Sequence, residues 1–245
     1  MRVAAKHGVR AASWLGVLCC CVAASLPAQQ APVTAQVEIL NRTAKPPTAG
    51  RTDASNVVVW LTLLDPAAAS ASAPRRAASK LVQRDKIFEP RILVVQVGSN
   101  VEFPNQDPFL HNVFSLFDGK RFDLGFYESG SSRSVRFDRQ GVSFLFCNIH
   151  PEMSAVVVAV ATPYFGVSDR SGRVAISGVP DGRYRLQVWY ERSSPENLKS
   201  LDRVVAVSAT QRSLPAIQVV ENSGFTPAHK NKYGQDYIPP SGPLY

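Results

Sequence analysis

Three properties of this sequence predict an all-β fold of sandwich or barrel type. Short apolar or alternating runs rich in Val, Ile, Phe and Tyr recur along it. Gly, Pro, Asn and Asp bound them, and no long stripe with a 3.6-residue period appears. The 245 residues suffice for one large or two small domains.

Residues 1–28 read as a secretory signal peptide. Arg2, Lys6 and Arg10 form a basic start, an apolar run follows from 11 to 26, and small residues lie around Ala24 and Ala28. The run is too short and too rich in Ala, Ser and Cys for a membrane span, so none is expected once it is removed. An uncleaved anchor is the alternative. Lipoprotein cleavage at Cys19, Cys20 or Cys21 fits poorly, because Leu18 and then Cys residues stand where small residues belong. The mature protein is expected to be exported, for example to a periplasm.

Strand-like runs follow at 33–40, 57–64, 92–97, 100–103, 134–137, 142–146, 155–161, 172–176, 183–190, 203–207 and 216–220. Residues 66–79 (PAAASASAPRRAAS) lack periodicity and read as a linker or surface loop. Residues 221–245 read as an extended tail, with His229 solvated. Asn41-Arg42-Thr43 has the form of a glycosylation sequon, a weak signal alone.

Without the signal, one of the four cysteines remains, Cys147, so no internal disulfide is possible in the mature chain. A lone thiol in an oxidising compartment is a liability unless it is buried or held by a metal. Removing three positive residues from 27 leaves 24 against 19 acidic ones, a net charge of about +5. The basic residues are scattered and form no aromatic-interleaved patch, so nucleic acid is not an expected partner.

The later strands carry two turn motifs. Asp169-Arg170-Ser171-Gly172 precedes one strand, and Pro180-Asp181-Gly182 precedes another that places Tyr184, Leu186, Val188 and Tyr190 on one face. This pattern resembles the transthyretin-like or carboxypeptidase-regulatory-like sandwich family, also called prealbumin-like. The segment is small for a sandwich, and 33–64 resembles the opening of the same family. The expected partition is a split sandwich of 33–66 plus 162–220, with a second domain, 80–161, inserted. Two domains in series is the alternative.

The chemistry concentrates in FLFCNIHPEM, residues 144–153. Cys147, His150 and Met153 stand at C-x-x-H-x-x-M spacing, and His111 lies upstream in FLHNVF. One thiolate, two imidazoles and a thioether make the donor set of a blue-copper electron-transfer site. Taken singly, His111 reads as an ordinary surface or core histidine and Met153 as core. Zinc is the rival metal, but it favours more thiolates or three imidazoles. His111 is expected on a separate loop, after the turn marked by Asn105, Asp107 and Pro108.

From 80 to 161 the chain resembles the cupredoxin family. The matching pieces are Phe88 and Pro90, then Val97–Ser99, then F-x-N-x-D (103–107) before His111-Asn112-Val113, and finally C-x-x-H-x-x-M. The short His-Pro-x-Met ending is similar to amicyanin rather than plastocyanin. The tail HKNKYGQDY resembles that of proteins labelled methylamine-utilisation or plastocyanin-like.

The resemblance implies one type 1 copper ion with His111, Cys147 and His150 equatorial and Met153 weakly axial. It implies that Asn112 ties the ligand loops together and that the edge of His150, where exposed, is the electron exit; Phe109, Leu110, Phe144 and Phe146 are the expected apolar surroundings of the metal. No Ser/His/Asp set, phosphate loop or carboxylate pair emerges, so the expectation is a one-electron carrier for unidentified redox partner proteins rather than an enzyme. The alternative is a periplasmic copper-handling or binding module with a structural β-sandwich.

Overall fold

The computed structural model describes residues 31–41, 53–65, 79–116, 119–222 and 229–237. The expected signal peptide, the glycosylation sequon beyond Asn41 and linker residues 66–78 lie outside them. The described strands are β1 (Val33–Asn41), β2 (Val58–Leu63), β3 (Ser79–Lys80), β4 (Val82–Arg84), β5 (Ile87–Glu89), β6 (Ile92–Gln96), β7 (Ser99–Pro104), β8 (His111–Ser115) and β9 (Phe122–Tyr127). They continue with β10 (Ser132–Phe137), β11 (Gly141–Phe146), β12 (Ser154–Val160), β13 (Phe165–Val167), β14 (Arg173–Ile176), β15 (Gly182–Trp189), β16 (Arg203–Val207) and β17 (Ile217–Glu221). One helix, α1 (Pro195–Ser200), interrupts them.

Two sandwiches result. In one, sheets β14-β1-β17 and β13-β2-β15-β16 enclose a core that includes Val33, Val37, Val59, Leu61, Tyr184 and Leu186. β1 is the central strand of its sheet, antiparallel to β14 (Val33 opposite Ile176) and parallel to β17 (Val37 opposite Ile217). β2 likewise lies between β13 and β15. In the other sandwich, β10-β7-β3 faces β6-β12-β11-β8-β9 across Val101, Phe103, Phe137, Leu145 and Val157.

The alternation along β2 serves two cores. Val57, Val59 and Leu61 point into the first sandwich, whereas Val58 and Trp60 point away from it. There they meet Ile92, Val94, Val156, Val158 and Val160, the outer face of the five-stranded sheet. A continuous apolar run such as β12 reads as a strand covered on both faces, and this second contact is what covers it. Arg91 closes the rim, its Nη2 donating to both Glu191 carboxylate oxygens at 2.8 and 2.7 Å.

The turn motifs act as their residue types suggest. The Asp169 carboxylate accepts from the amides of Ser171 (2.8 Å) and Arg173 (3.0 Å). Gly172 adopts φ +80° with its backbone packed on the Val37 carbonyl, where a Cβ would clash.

The expected runs match observed strands to within a few residues, but none of them covers β9 (Phe122–Tyr127), whose half-buried residues show no clean alternation, or the shortest elements. β3, β4, β5 and β13 span two or three residues each, below the length at which a period shows. α1 has a start signal: Ser194 caps it by accepting from the Asn197 amide, and Pro195 opens its first turn. Its six residues are too few for a stripe. His111 was expected on a loop and is instead the first residue of β8, a strand buried along its whole length and so without alternation.

Candidate metal centre

The site lies where β8 begins and β11 ends. β11 pairs with β8 at Phe146 opposite Phe114, which puts Cys147, one residue beyond β11, beside the start of β8. The chain then turns back to enter β12 at Ser154. Main-chain bonds from Cys147 N–H to the Met153 carbonyl (3.3 Å) and from Met153 N–H to the His150 carbonyl (3.1 Å) close this turn.

Three expected donors converge. Cys147 Sγ lies 3.8 Å from His111 Nδ1 and 3.6 Å from His150 Nδ1. All three donor atoms lie within 4.8 Å of one another, and all three residues are buried. Donors bound about 2.0–2.3 Å from one shared metal at near-trigonal angles stand about 3.5–4.0 Å apart. The observed spacing therefore suits a metal ion bound by all three. Met153 is fully buried in the same core cluster as Cys147.

A carboxylate fixes the proton on His111. The Asn105 side chain accepts from the Asp107 amide (3.0 Å), an Asx turn that brings Asp107 back over the site. Asp107 Oδ2 lies 2.7 Å from His111 Nε2. The same carboxylate accepts from the amides of Asp85 (2.6 Å) and Lys86 (3.0 Å). Those two residues form the two-residue turn between β4 and β5, both at positive φ (53° and 57°) as a primed hairpin turn requires.

Nε2 facing a carboxylate must carry the proton, so the Nδ1 lone pair faces the sulfur. Burial pushes the Asp107 carboxyl upward. The hydrogen bond from His111 and the Lys86 and Asp85 amides outweigh it, so the group is held below its ordinary value and stays ionised.

Burial pushes the Cys147 thiol above its usual value, opposed by the main-chain N–H groups of Asn112, Ile149 and His150. His150 is held below the ordinary imidazole value, by burial first and then by the neighbouring His111. A neutral imidazole is the ligand form, and a metal ion is the positive charge that stabilises a buried thiolate.

Several expectations about the surroundings need correction. The edge of His150 is not bare: the residue is 2% exposed, and the Phe109 ring lies 5.7 Å from it and 5.2 Å from His111. Phe144 and Phe146 do not line the donors. Side chains alternate along β11, so Leu145 and Cys147 point into the core, while Phe144 packs edge-on to Trp189 and Phe146 stacks on His229. Leu110 is 48% exposed and faces outward.

The Asn112 side chain bonds Asp123 on β9 (2.7 Å), and it is the main-chain N–H of Asn112 that reaches the Cys147 sulfur. His229, expected to be solvated, is packed on Phe146 at 3.8 Å between ring centroids. Phe109, expected beside the metal, does pack on both imidazoles, whereas the contact of Asp107 with His111 was not anticipated. The spacing of Asp107 four residues before His111 was the available signal.

An all-β protein with a buried donor cluster of two histidines and one cysteine at the end of one sandwich is the class that fold and site define. Solved structures similar to the chain include a purple cupredoxin from Nitrosopumilus maritimus, 22% identical over 34% of this chain and 99% of that one (TM-score 0.31). They also include a copper(I) mutant of amicyanin, 18% identical over 42% of this chain and 98% of that one (TM-score 0.33). A copper-containing nitrite reductase from Thermus scotoductus SA-01 is 20% identical over 50% of this chain (TM-score 0.33), and the chain spans 28% of that enzyme. No family profile and no curated protein matches the sequence.

Removing the carboxylate behind His111 is a direct test of the outer contacts. Asp107→Asn keeps the shape but places an amide where the anion stood. Outer partners of metal-bound histidines are worth about 10–100-fold in metal affinity, and a loss of that size is expected on titration of the metal-free variant with copper. An unchanged affinity would show that the carboxylate does not orient the imidazole.

Proposed function

We propose that the chain is an exported one-electron carrier that holds one type 1 copper ion through His111 Nδ1, Cys147 Sγ and His150 Nδ1, with Met153 as the weak axial donor. The convergence of one sulfur and two imidazole nitrogens at 3.6–3.8 Å in a buried site carries this reading. A bound copper ion supplies a one-electron couple there. A soft thiolate with imidazoles and a thioether suits both oxidation states.

The protein's part is to hold still. Asp107 and the Asp85-Lys86 turn fix the orientation of His111, and three N–H groups face the sulfur. Phe109 covers both imidazoles and keeps solvent from them. Enclosure of this kind supports a carrier rather than an enzyme, because a metal held by these buried donors under Phe109 would have little face open to a substrate. Phe109 and the exposed Leu110 beside it are the apolar route by which a redox partner protein approaches the imidazoles. No helix among the described residues is long and apolar enough to cross a membrane. The domain reading that goes with this function is one sandwich formed by 33–66 with 162–220, carrying the copper domain 80–161 between its halves.

Voltammetry of the copper-loaded protein tests the function. A reversible wave of one electron per copper is the expected result. Met153→Leu is expected to keep copper and raise the potential, whereas His111→Ala is expected to bind copper far more weakly, having lost an equatorial donor. An irreversible or absent wave would point to a copper-handling or binding module instead.

A further inference from the structure

Residues 229–237 lie across the outside of the ligand turn. His229 Nε2 donates to the Pro151 carbonyl at 2.8 Å. Tyr237 Oη donates to the Cys147 carbonyl, also at 2.8 Å. Between them the Lys232 amide donates to Asn148 Oδ1 at 3.0 Å. The ligand turn is thus gripped at 147, 148 and 151, on both sides of His150.

The segment is braced for this. The Asn231 side chain accepts from the amides of Tyr233 (2.9 Å) and Gln235 (3.0 Å), and Lys230 pairs with Asp236 at 2.6 Å. Its two ends meet, with the Tyr237 ring edge-on to His229 at 5.3 Å. Two further contacts moor it. His229 stacks on Phe146. Lys232 Nζ pairs at 2.8 Å with Asp123, which also holds the Asn112 side chain. The moorings therefore end on the residues that flank both donors, Phe146 before Cys147 and Asn112 after His111.

We propose that 229–237 is a clasp that holds the 147–153 turn in its donor geometry before any metal enters, with His229 and Tyr237 as positioning residues of the centre. The turn has few main-chain bonds of its own, those between Cys147, His150 and Met153. A short loop left free would lose its conformational freedom on binding metal, at a cost to affinity. The clasp moves that cost to folding. Its donors go to main-chain carbonyls and to an amide side chain, so it acts on the path of the turn and touches no donor atom.

The inference rests on the copper reading only for what the turn holds, so the test begins without metal. In the metal-free full chain, amide hydrogen exchange is followed at Cys147 and Met153. Tyr237→Phe and His229→Ala are each expected to speed exchange there by about fivefold, the weight of one net hydrogen bond. Exchange in β6 and β12 is expected to stay as it was. Gln235→Ala, at an exposed position of the same segment that is tied in through main-chain atoms, is expected to change neither.

In the copper-loaded protein, transfer of copper to a chelator should quicken by a similar factor, and the electron paramagnetic spectrum of Cu(II) should shift in both clasp variants. Unchanged exchange at Cys147 and Met153 would overturn the clasp. So would an equal rise across β6 and β12, which would mean general loosening, and so would faster exchange with an unaltered spectrum and copper transfer. If the wild type took no copper while the variants still freed the turn, the clasp would stand and the carrier reading would fall.

Discussion

Cys147→Ser is expected to abolish the intense visible absorption of the Cu(II)-loaded protein and to leave copper loosely held or unbound. The colour of such a site arises from charge transfer out of a thiolate, and Cys147 is the only cysteine in the sequence after residue 21. A serine hydroxyl stays protonated at neutral pH and is a hard, weak donor for copper. The fold should survive the change. Serine is close to cysteine in volume, and the N–H groups of Asn112, Ile149 and His150 that face the sulfur can bond a hydroxyl instead. Far-ultraviolet circular dichroism should therefore match the wild type while the visible band is gone. A band retained in the variant would mean that another side chain supplies the charge-transfer donor, and the centre described here would be wrong.

The proposed donors were legible because three of them sit in one turn. Cys147, His150 and Met153 are a local pattern, and local patterns survive without knowledge of the fold. His111 could be paired with them by residue type alone, as there were few other histidines to weigh. Asp107 was half legible: it stands four residues before His111, but the Asp85-Lys86 amides that hold its carboxylate come from a hairpin twenty residues earlier. The alternation along β11 argues against Phe144 and Phe146 as neighbours of the metal. Counting in twos from Cys147 places Leu145 inward and Phe146 outward, so Phe146 was never available to the donors.

The clasp was illegible because it has no period and its contacts span some 80 to 90 positions. Asn231 and Gly234 show a turn in the sequence, but nothing local says what that turn lies against. The apolar seam between the sandwiches is a similar case. β12 and β2 each read as an apolar run, and neither run names the other as its cover.

Residues 162–222 expressed alone are expected to be unfolded. The central strand of each sheet in their sandwich comes from the start of the chain: β1 lies between β14 and β17, and β2 lies between β13 and β15. Without them β13, β14 and β17 lose their ladder partners, and the β15–β16 hairpin remains. An isolated hairpin is marginal in water. The lost burial decides the outcome. Val33, Val37, Val57, Val59 and Leu61 are all buried in that core, and at about 1.5 kcal/mol each they contribute roughly 8 kcal/mol. That is comparable to the whole stability of a small domain, about 5–15 kcal/mol. Supplying 31–65 in trans should restore β-sheet dichroism and dispersed amide resonances. The complementary piece, 79–161, keeps both of its sheets and should fold and bind copper. It should also self-associate, because Ile92, Val94, Val156, Val158 and Val160 lose the β2 and β13 residues that cover them. A folded, monomeric 162–222 would sink the split sandwich and favour two domains in series.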